Sequence, residues 1–231
     1  MSMTPIQDDR GKIKSELASG KIHAYIVHHS KDPHPYLATI RASCLEHKWN
    51  FMLTTCDQAA FLYSQARILS AKKILELGCF YGHSTLALAA ALPADGLLIS
   101  IEHNPKFAKM ATEHLTNAGV MDRIKIIVGE APKVTQDLLV QHEKGSFDLI
   151  FVDADKRHSQ AYWETSLDLV RVGGLIIFDN VLARGEILNE NLDGTNHATA
   201  MREFNEKVRL DDRVQSFIAT IADGMLVAIK K

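Results

Sequence analysis

The sequence has little of what marks three large classes of protein. Its three cysteines, Cys44, Cys56 and Cys79, are far apart and form no C-x-x-C pair, which argues against a disulfide framework and against a zinc site. No apolar run approaches the roughly 20 residues that cross a bilayer, and the first residues contain no apolar signal core. The net charge is −2 and no basic block occurs, so no nucleic-acid partner is indicated. We therefore expect a cytoplasmic protein without a membrane or nucleic-acid partner.

The length and the hydrophobic content of the chain suit a single domain of the size of an enzyme. The chain has 231 residues, of which 46% are hydrophobic, and this is enough to bury a full core. We expect residues 1–55 to form a helical extension that begins with a mobile or helical leader over residues 1–20, and residues 56–231 to form an α/β core. Apolar side chains recur at helical spacing in residues 32–48 of the extension and in residues 59–69 at the start of the core.

The chain is organised around residues 72–84, KKILELGCFYGHS. An apolar strand runs into a turn bracketed by Gly78 and Gly82, and a helix rich in alanine and leucine follows. A dinucleotide fingerprint needs a third glycine, but here bulky side chains fill the turn and would obstruct a pyrophosphate. A nucleoside ligand without phosphates fits better, and S-adenosylmethionine (SAM) is the common one. A plain strand-to-helix turn without a ligand is the alternative.

Strands and helices alternate after this turn. The predicted strands are 96–102, 123–128, 147–152 and 175–179, and the predicted helices are 105–119, 131–145, 159–174 and 197–210. Strands that alternate with helices of this length indicate βαβ units and a parallel sheet. The last two apolar segments are close enough together to pair as an antiparallel hairpin around Ala222, Asp223 and Gly224.

Two glutamates have positions that suit a nucleoside ligand. Glu102 ends the second strand, about 20 residues beyond the glycine turn, where a carboxylate can accept hydrogen bonds from both ribose hydroxyls. An ordinary acid at a strand end is the alternative. Glu76 lies inside an apolar strand, where an ionisable group costs several kcal/mol unless it has a partner. We expect Glu76 to bind either backbone amides of the Gly78 turn or the ammonium group of the ligand.

The fourth and fifth strands each end in a polar motif. VDADK contains Asp153, Asp155 and Lys156, and FDN contains Asp179 and Asn180. Neighbouring parallel strands would bring both motifs to the edge where the glycine turn lies. Two carboxylates and an amide supply hard oxygen ligands for Mg²⁺, Mn²⁺ or Ca²⁺. Taken separately, Asp155 would cap a helix, and Asp179 with Asn180 would turn the chain.

This set of groups suits methyl transfer from SAM to a hydroxyl. A divalent cation would hold an acceptor that has two adjacent oxygens and would favour ionisation of the attacking one. Lys156, three residues after Asp153, is the candidate general base. The glycine turn and the cation would together align oxygen, methyl and sulfur, so that orientation supplies much of the rate.

Several motifs resemble those of a known family. The segments HKWNFMLTT, ILELGCFYGHS, FVDADK, VGGLIIFDNVL and the closing DG are similar to the cation-dependent, SAM-dependent O-methyltransferases of the caffeoyl-CoA and catechol type, and to their bacterial members above all. The resemblance runs from about Tyr25 to the C-terminus, and FVDADK with GGLIIFDN is its most specific part. It implies a Rossmann-like α/β fold with a seven-stranded, mostly parallel sheet, an antiparallel last strand and helices on both faces.

The resemblance also implies roles for individual residues. Lys156 matches the catalytic base, and Asp153, which also lies at the reacting centre, matches a metal ligand together with Asp179 and Asn180. The positions that match cofactor contacts are Met52, Thr54, Glu76, Gly78, Ser84, Glu102, Ala131, Asp153 and Asp155. Glu102 stands where the family more often has aspartate.

Three positions depart from the family pattern. His83 replaces a usual tyrosine, Ser159 stands where an aromatic residue often follows the lysine, and Ala183 stands where tryptophan is usual. All three are expected to line the acceptor pocket, and residues 181–196 are expected to cover it. A CoA ester, a small catechol, a flavonoid or a natural-product intermediate would each suit such a pocket.

Two other functions stay open beside this one. A nucleotide-dependent oxidoreductase can use the same kind of sheet, although the missing third glycine and the VDADK and FDN motifs argue against it. A catalytically inactive SAM-binding protein is the second, although all four metal and base residues are present. The resemblance further implies a small aromatic acceptor as the partner molecule, and a homodimer with the N-terminal helices at its interface.

Overall fold

The computed structural model describes residues 20–141, 144–189 and 197–231. The helices are α1 (Gly20–His29), α2 (Leu37–Cys44), α3 (Cys56–Ile68), α4 (His83–Ala91), α5 (Pro105–Asn117), α6 (Ala131–Gln141), α7 (Ser159–Leu169) and α8 (His197–Arg209). The strands are β1 (Lys73–Leu77), β2 (Leu97–Glu102), β3 (Ile124–Val128), β4 (Phe147–Val152), β5 (Val170–Asp179), β6 (Val214–Ala219) and β7 (Met225–Lys230). Short 3-10 turns span Asn50–Met52, Met121–Arg123, Lys156–His158 and Ala183–Leu188.

The strands form one sheet in the order β3-β2-β1-β4-β5-β7-β6. The first five strands of the chain run parallel, and β7 runs antiparallel to both β5 and β6. The predicted parallel sheet, reversed last strand and closing hairpin are therefore confirmed. The strand order changes direction between β1 and β4, which is where open α/β sheets bind ligands.

Apolar side chains alternate between the two faces of the central strands. In β1, Ile74 belongs to a cluster that includes α2, α3, α4 and α5, whereas Leu75 and Leu77 belong to a cluster that includes α6, α7 and α8. Each fully buried aliphatic side chain contributes roughly 1.5–3 kcal/mol of transfer free energy. Helices thus cover both faces, as predicted, and a ligand site is left at the strand ends.

The N-terminal part differs from the predicted pattern. Helix α1 begins at Gly20, which had been expected to end the leader, and residues 1–19 lie outside the described residues. Helix α2 is shorter than the predicted 32–48. Helix α3 begins at Cys56, three residues before its predicted start, because Gln58 Oε1 accepts the backbone N–H of Thr55 at 2.8 Å in a capping box.

The predicted boundary between α7 and β5 is wrong. Helix α7 ends at Leu169 and β5 begins at the next residue, although the sequence pattern assigned residues up to 174 to the helix. Gly173 has φ +73°, and a Cβ on Gly174 would lie 2.8 Å from the carbonyl oxygen of Asp148. The two glycines therefore lie in an irregular stretch where β5 pairs with β4, and they do not end a helix.

The connection between β5 and α8 is only partly described. It turns through Ala183–Leu188, where Ala183 and Arg184 have positive φ values of 48° and 55°. Residues 190–196, which belong to the segment predicted to cover the site, lie outside the described residues. Within the described ranges, no helix combines the length and the apolar character needed to cross a membrane.

Candidate active site

The carboxyl ends of four neighbouring strands meet at one level of the sheet. Leu77 of β1 pairs with Ile101 of β2 and with Val152 of β4, and Val152 pairs with Phe178 of β5. The next residues along these strands are, in sheet order, Glu102, Gly78, Asp153 and Asp179. We call these four strand ends the rim. The structure thus brings the predicted nucleoside and metal residues together at one edge.

A cavity of about 980 Å³ opens on the rim, within the range of small-molecule sites. The predicted residues that line it are Met52, Thr54, Gly78, Ser84, Glu102, Ala131, Asp153, Asp155, Lys156 and Asn180. Glu76 and Asp179 do not belong to this lining, because both are fully buried in the wall behind it. Of the three departures from the family pattern, His83 and Ala183 line the cavity. Ser159 is buried and its hydroxyl donates to the carbonyl of Lys156 at 2.9 Å, so its predicted place in the lining is not confirmed.

Gly78 lies directly against the backbone at the end of β4. Its φ is +94°, and a Cβ on it would lie 2.4 Å from the carbonyl oxygen of Asp153. The backbone N–H of Gly78 donates to Ile101 at 2.8 Å, and the N–H of Asp153 donates to Leu77 at 2.9 Å. Only glycine satisfies both the backbone conformation and this spacing.

Glu102 is held by the backbone around it. The side chain is buried and lines the cavity. Its Oε2 accepts the N–H of Phe80 at 2.9 Å, its Oε1 accepts the N–H of Asn104 at 2.9 Å, and His103 Nδ1 lies 3.1 Å from Oε1. A carboxylate can accept about four hydrogen bonds, so Glu102 can still accept from a ligand hydroxyl. The backbone contacts already fix the orientation of its carboxylate.

Glu76 is buried with one oxygen unsatisfied. Its Oε2 accepts hydrogen bonds from the hydroxyls of Thr85 and Ser100, each at 2.6 Å, so these hydroxyls take the place that backbone amides were predicted to have. Its Oε1 has no hydrogen-bond partner among the described residues. Burial raises the pKa of Glu76 to about 7, although the hydroxyl donors act in the opposite direction. The unpartnered oxygen suits a donor from a ligand.

Lys156 and Asp153 are in direct contact at the end of β4. The Nζ of Lys156 donates to Asp153 Oδ1 at 3.2 Å, and both side chains are partly buried. The neighbouring Asp155 accepts from the hydroxyl of Tyr162 and lies against His158 Nδ1, both at 2.7 Å. Asp155 stands at the N-cap position of the 3-10 turn without a side-chain cap hydrogen bond, so the capping interpretation is not confirmed, and its contact with Tyr162 ties the turn after β4 to α7.

Asp179 and Asn180 add oxygen donors beside Asp153. Asp179 Oδ1 accepts the N–H of Asn180 at 2.7 Å, whereas its Oδ2 is buried and has no hydrogen-bond partner in the described part of the chain. The same part contains no group of three His, Cys, Asp or Glu side chains suited to a metal, and the predicted set has two carboxylates and an amide. This set fits a hard divalent cation, and the unpartnered oxygen of Asp179 supports that fit because leaving it unsatisfied costs free energy.

The outer wall of the cavity includes part of the segment 181–196 that was predicted to cover the site, but its side-chain contacts were not predicted. Phe51 lines it with 53% of its surface exposed, and the guanidinium carbon of Arg184 lies 5.5 Å from the centroid of the Phe51 ring. The backbone N–H of Arg184 donates to the buried Asp223 Oδ1 at 2.6 Å. The closing DG of the family resemblance pointed to Asp223, and Arg184 was predicted only as part of the segment 181–196 that covers the site.

Comparison with protein families places the chain in a known group. The O-methyltransferase family model matches residues 27–231, which include every residue of the rim. The chain belongs to the O-methyltransferase family. This O-methyltransferase is 35% identical over 206 residues to catechol O-methyltransferase domain-containing protein 1 of Mus musculus, covering 89% of this chain and 78% of that protein. It is 33% identical over 220 residues to caffeoyl-CoA O-methyltransferase of Eucalyptus gunnii, covering 92% of this chain and 88% of that protein.

Solved structures of other methyltransferases share the fold. The O-methyltransferase from Bacillus cereus in complex with S-adenosylhomocysteine (SAH) aligns with a TM-score of 0.82 and 27% identity, covering 91% of this chain and 97% of that one. The O-methyltransferase TomG from Streptomyces achromogenes in complex with SAM aligns with a TM-score of 0.81 and 28% identity, covering 91% and 96%. The predicted Rossmann-like methyltransferase fold is confirmed. The family and these relatives support a SAM-dependent O-methyltransferase and not the oxidoreductase alternative.

Proposed function

We propose that this O-methyltransferase methylates one hydroxyl of a catechol-like acceptor, an aromatic ring with two adjacent hydroxyls. Lys156 is the general base, and Asp153, Asp179 and Asn180 bind a divalent cation. The observation that carries the proposal is the pairing of β4 with β5, which sets Asp153 in the cavity lining beside Asp179, buried in the wall behind it, with Lys156 Nζ 3.2 Å from Asp153 Oδ1. A base and a set of oxygen donors thus stand at the same rim as the glycine turn.

The methyl donor fits along the rim from β2 towards β4. Glu102 would accept hydrogen bonds from the ribose hydroxyls, and Ala131, at the start of α6 in the cavity lining, would border the adenine. The unpartnered Oε1 of Glu76 suits the ammonium group of the methionine part. Met52, Thr54, Ser84 and Asp155 would complete the contacts to SAM. This placement directs the methyl group towards Lys156.

The residues at the ends of β4 and β5 suit a cation with hard oxygen ligands. Mg²⁺ is the first candidate, and Mn²⁺ or Ca²⁺ would accept the same ligands. When bound, such an ion would favour the ionised form of an acceptor hydroxyl and hold two adjacent oxygens. Asp153 already accepts a positively charged donor, the ammonium of Lys156, and Lys156 can leave this ion pair when Asp153 has another cationic partner.

Lys156 performs the proton transfer. Once the ammonium of Lys156 has released one proton to solvent, its amine accepts the proton of the attacking hydroxyl while the hydroxyl oxygen attacks the methyl carbon. The new O–C bond forms as the C–S bond breaks, the sulfonium becomes the thioether of SAH, and the proton remains on Lys156 Nζ. The fixed glycine turn and the buried acids hold the donor in place, so that orientation supplies much of the rate.

The outer wall of the cavity favours a planar aromatic acceptor. Phe51 and Met52 are exposed in the lining, and Arg184 lies over the Phe51 ring. Aromatic faces and guanidinium planes both stack well on planar rings. Ala183, also in the lining, leaves room beside Arg184 that a tryptophan would fill.

Release of SAH from SAM tests the acceptor and the base together. In the presence of Mg²⁺, we expect turnover with catechol and little turnover with phenol, because only catechol offers two adjacent oxygens. The Lys156→Met variant should lower kcat by about 10²- to 10⁴-fold while the Kd for SAH stays within about twofold. The matched control is Lys144→Met, because Lys144 lies on the surface with its Nζ 2.9 Å from Asp168, and it should keep full turnover.

Each part of the proposal has its own contrary result. Equal turnover of phenol and catechol would contradict the two-oxygen acceptor, and an unchanged kcat in Lys156→Met would contradict the general base. Tight binding of SAH without turnover of any dihydroxy aromatic would favour the inactive SAM-binding alternative.

A further inference from the structure

A chain of four polar side chains runs from the α1–α2 connection to the cavity. Asp32 accepts two hydrogen bonds from the guanidinium of Arg41, at 2.9 Å and 2.5 Å. Arg41 Nη1 lies 3.1 Å from His83 Nε2, and His83 Nδ1 lies 2.9 Å from Thr54 Oγ1. His83 and Thr54 are 1% and 5% exposed, and both line the cavity. The network therefore ends at the proposed SAM site.

The hydrogen bonds in this network have one possible direction. A guanidinium has only donors, so His83 Nε2 must accept from Arg41. The neutral imidazole then carries its proton on Nδ1, which donates to the hydroxyl oxygen of Thr54. That hydroxyl has no further partner within the described residues, and it keeps its own proton as a donor towards the cavity. Burial and the Arg41 guanidinium lower the pKa of His83 to about 4, although Asp32 acts in the opposite direction, so the ring is neutral near pH 7.

We propose that Asp32, Arg41 and His83 orient the hydroxyl of Thr54 as a hydrogen-bond donor to the carboxylate of the methionine part of SAM. This inference rests on the proposed placement of SAM along the rim. His83 acts through Thr54 and does not touch the reacting atoms, so it is a positioning residue.

The proposed placement brings the carboxylate of SAM to this wall. With the ribose at Glu102 and the methyl group near Lys156, the amino-acid part lies between them, at the glycine turn and the start of α4. Glu76 has an unpartnered acceptor for the ammonium, which leaves the carboxylate to be bound by donors. The N-terminus of α4 carries a partial positive charge that favours an anion. Thr54 adds a hydroxyl donor whose oxygen already accepts from His83.

Calorimetric titration with two ligands separates this role from general stability. SAH carries the amino-acid part, and 5′-methylthioadenosine has the same nucleoside without it. The His83→Phe variant should weaken SAH binding about tenfold and leave 5′-methylthioadenosine within about twofold of wild type. The His83→Asn variant should restore SAH binding, because an asparagine amide N–H can take the place of Nδ1–H towards Thr54.

Two further variants test whether the loss of SAH affinity arises from this hydrogen-bond network. In a Thr54→Val background, His83→Phe should cause no additional loss of SAH affinity. Arg41→Met, whose change lies outside the cavity lining, should weaken SAH binding in the same selective way but by less than His83→Phe, because the ring is then free to take either tautomer. This variant also keeps the test valid if His83→Phe fails to fold.

The Glu102→Gln variant distinguishes failure of this inference from failure of the SAM placement. It should weaken both ligands, since both carry the ribose. If Glu102→Gln weakens both while the His83 and Arg41 variants weaken neither, or weaken both equally, the network has no role in carboxylate binding. If Glu102→Gln weakens neither ligand, the placement of SAM is wrong and this inference is wrong with it.

Discussion

Two buried side chains beside the proposed SAM site have pKa values displaced in opposite directions by the same cause. Burial disfavours charge, so it raises the pKa of Glu76 to about 7 and lowers the pKa of His83 to about 4. Glu76 is therefore close to its titration midpoint near neutral pH, whereas His83 is fully neutral there. The two residues should show different linkages to ligand binding and to folding.

Binding of SAM should release a proton from Glu76. The carboxyl group is partly protonated at pH 7, and an ammonium at its free Oε1 would favour the ionised form. Calorimetric titration with SAM at pH 7, in two buffers of different ionisation enthalpy, should show release of about half a proton per SAM. The Glu76→Gln variant should release none, and equal release by both proteins would contradict this role.

Glu76 should make the folded protein less stable as the pH rises. Folding raises the pKa of Glu76 above that of the unfolded chain, so its favourable contribution is present below about pH 4.5 and is lost as the pH rises through about 7. Bound SAM should offset this loss, because the ammonium pairs with the ionised carboxylate.

His83 should make the protein less stable as the pH falls. Folding lowers its pKa from 6.5 to about 4, so below pH 6.5 the unfolded chain binds a proton that the folded chain does not. The free energy of unfolding should fall by about 3 kcal/mol between pH 7 and pH 4 from this residue alone. Denaturant titrations over that range should show a flatter profile for His83→Asn, and parallel profiles would contradict the low pKa.

The turn between β1 and α4 has a geometric requirement that a matched pair of glycine variants can isolate. Gly78 and Gly119 both have positive φ values, +94° and +74°, but only at Gly78 would a Cβ meet another atom, the Asp153 carbonyl oxygen at 2.4 Å. Gly119→Ala should cost only about 1–2 kcal/mol of stability for its backbone conformation and keep SAH binding. Gly78→Ala should destabilise further and lose SAH binding, because it separates the ends of β1 and β4. Equal effects in melting and binding experiments would contradict this account.

Strands were easier to predict from the sequence than helix boundaries. The short apolar strands β1, β2 and β4 are evident because a parallel sheet buried on both faces needs continuous apolar runs. Paired glycines, in contrast, are compatible with a helix end and with a strand irregularity. At Gly173 and Gly174 the choice is made by pairing with β4, a contact that local sequence does not contain.

The site was predicted only where its residues lie in motifs. Strand-end residues such as Glu102, Asp153 and Asp179 follow from the topology of a parallel sheet. The contact between Arg41 and His83 joins positions 42 residues apart, and the contact of Arg184 with Phe51 depends on an unusual backbone turn. Such contacts depend on tertiary packing, so neither composition nor periodicity could reveal them.

The predicted homodimer can be tested at α1. Ile22, Tyr25 and Ile26 are exposed and share one face of this helix by their spacing. We expect sedimentation velocity to show a dimer for the wild type and a shift towards monomer for Tyr25→Glu. The control Val140→Glu, at an exposed position on α6, should stay dimeric. A monomeric wild type, or a Tyr25→Glu variant that stays dimeric, would contradict the predicted interface.

Methyl transfer should require a divalent cation bound by Asp153, Asp179 and Asn180. The most direct measurement is the rate of SAH release from SAM and catechol, first after EDTA and dialysis and then during titration with Mg²⁺. The wild type should lose turnover without the cation and regain it saturably, and Asp179→Asn should need at least about tenfold more Mg²⁺. Turnover that persists in EDTA, or an unchanged Mg²⁺ dependence in Asp179→Asn, would contradict the account.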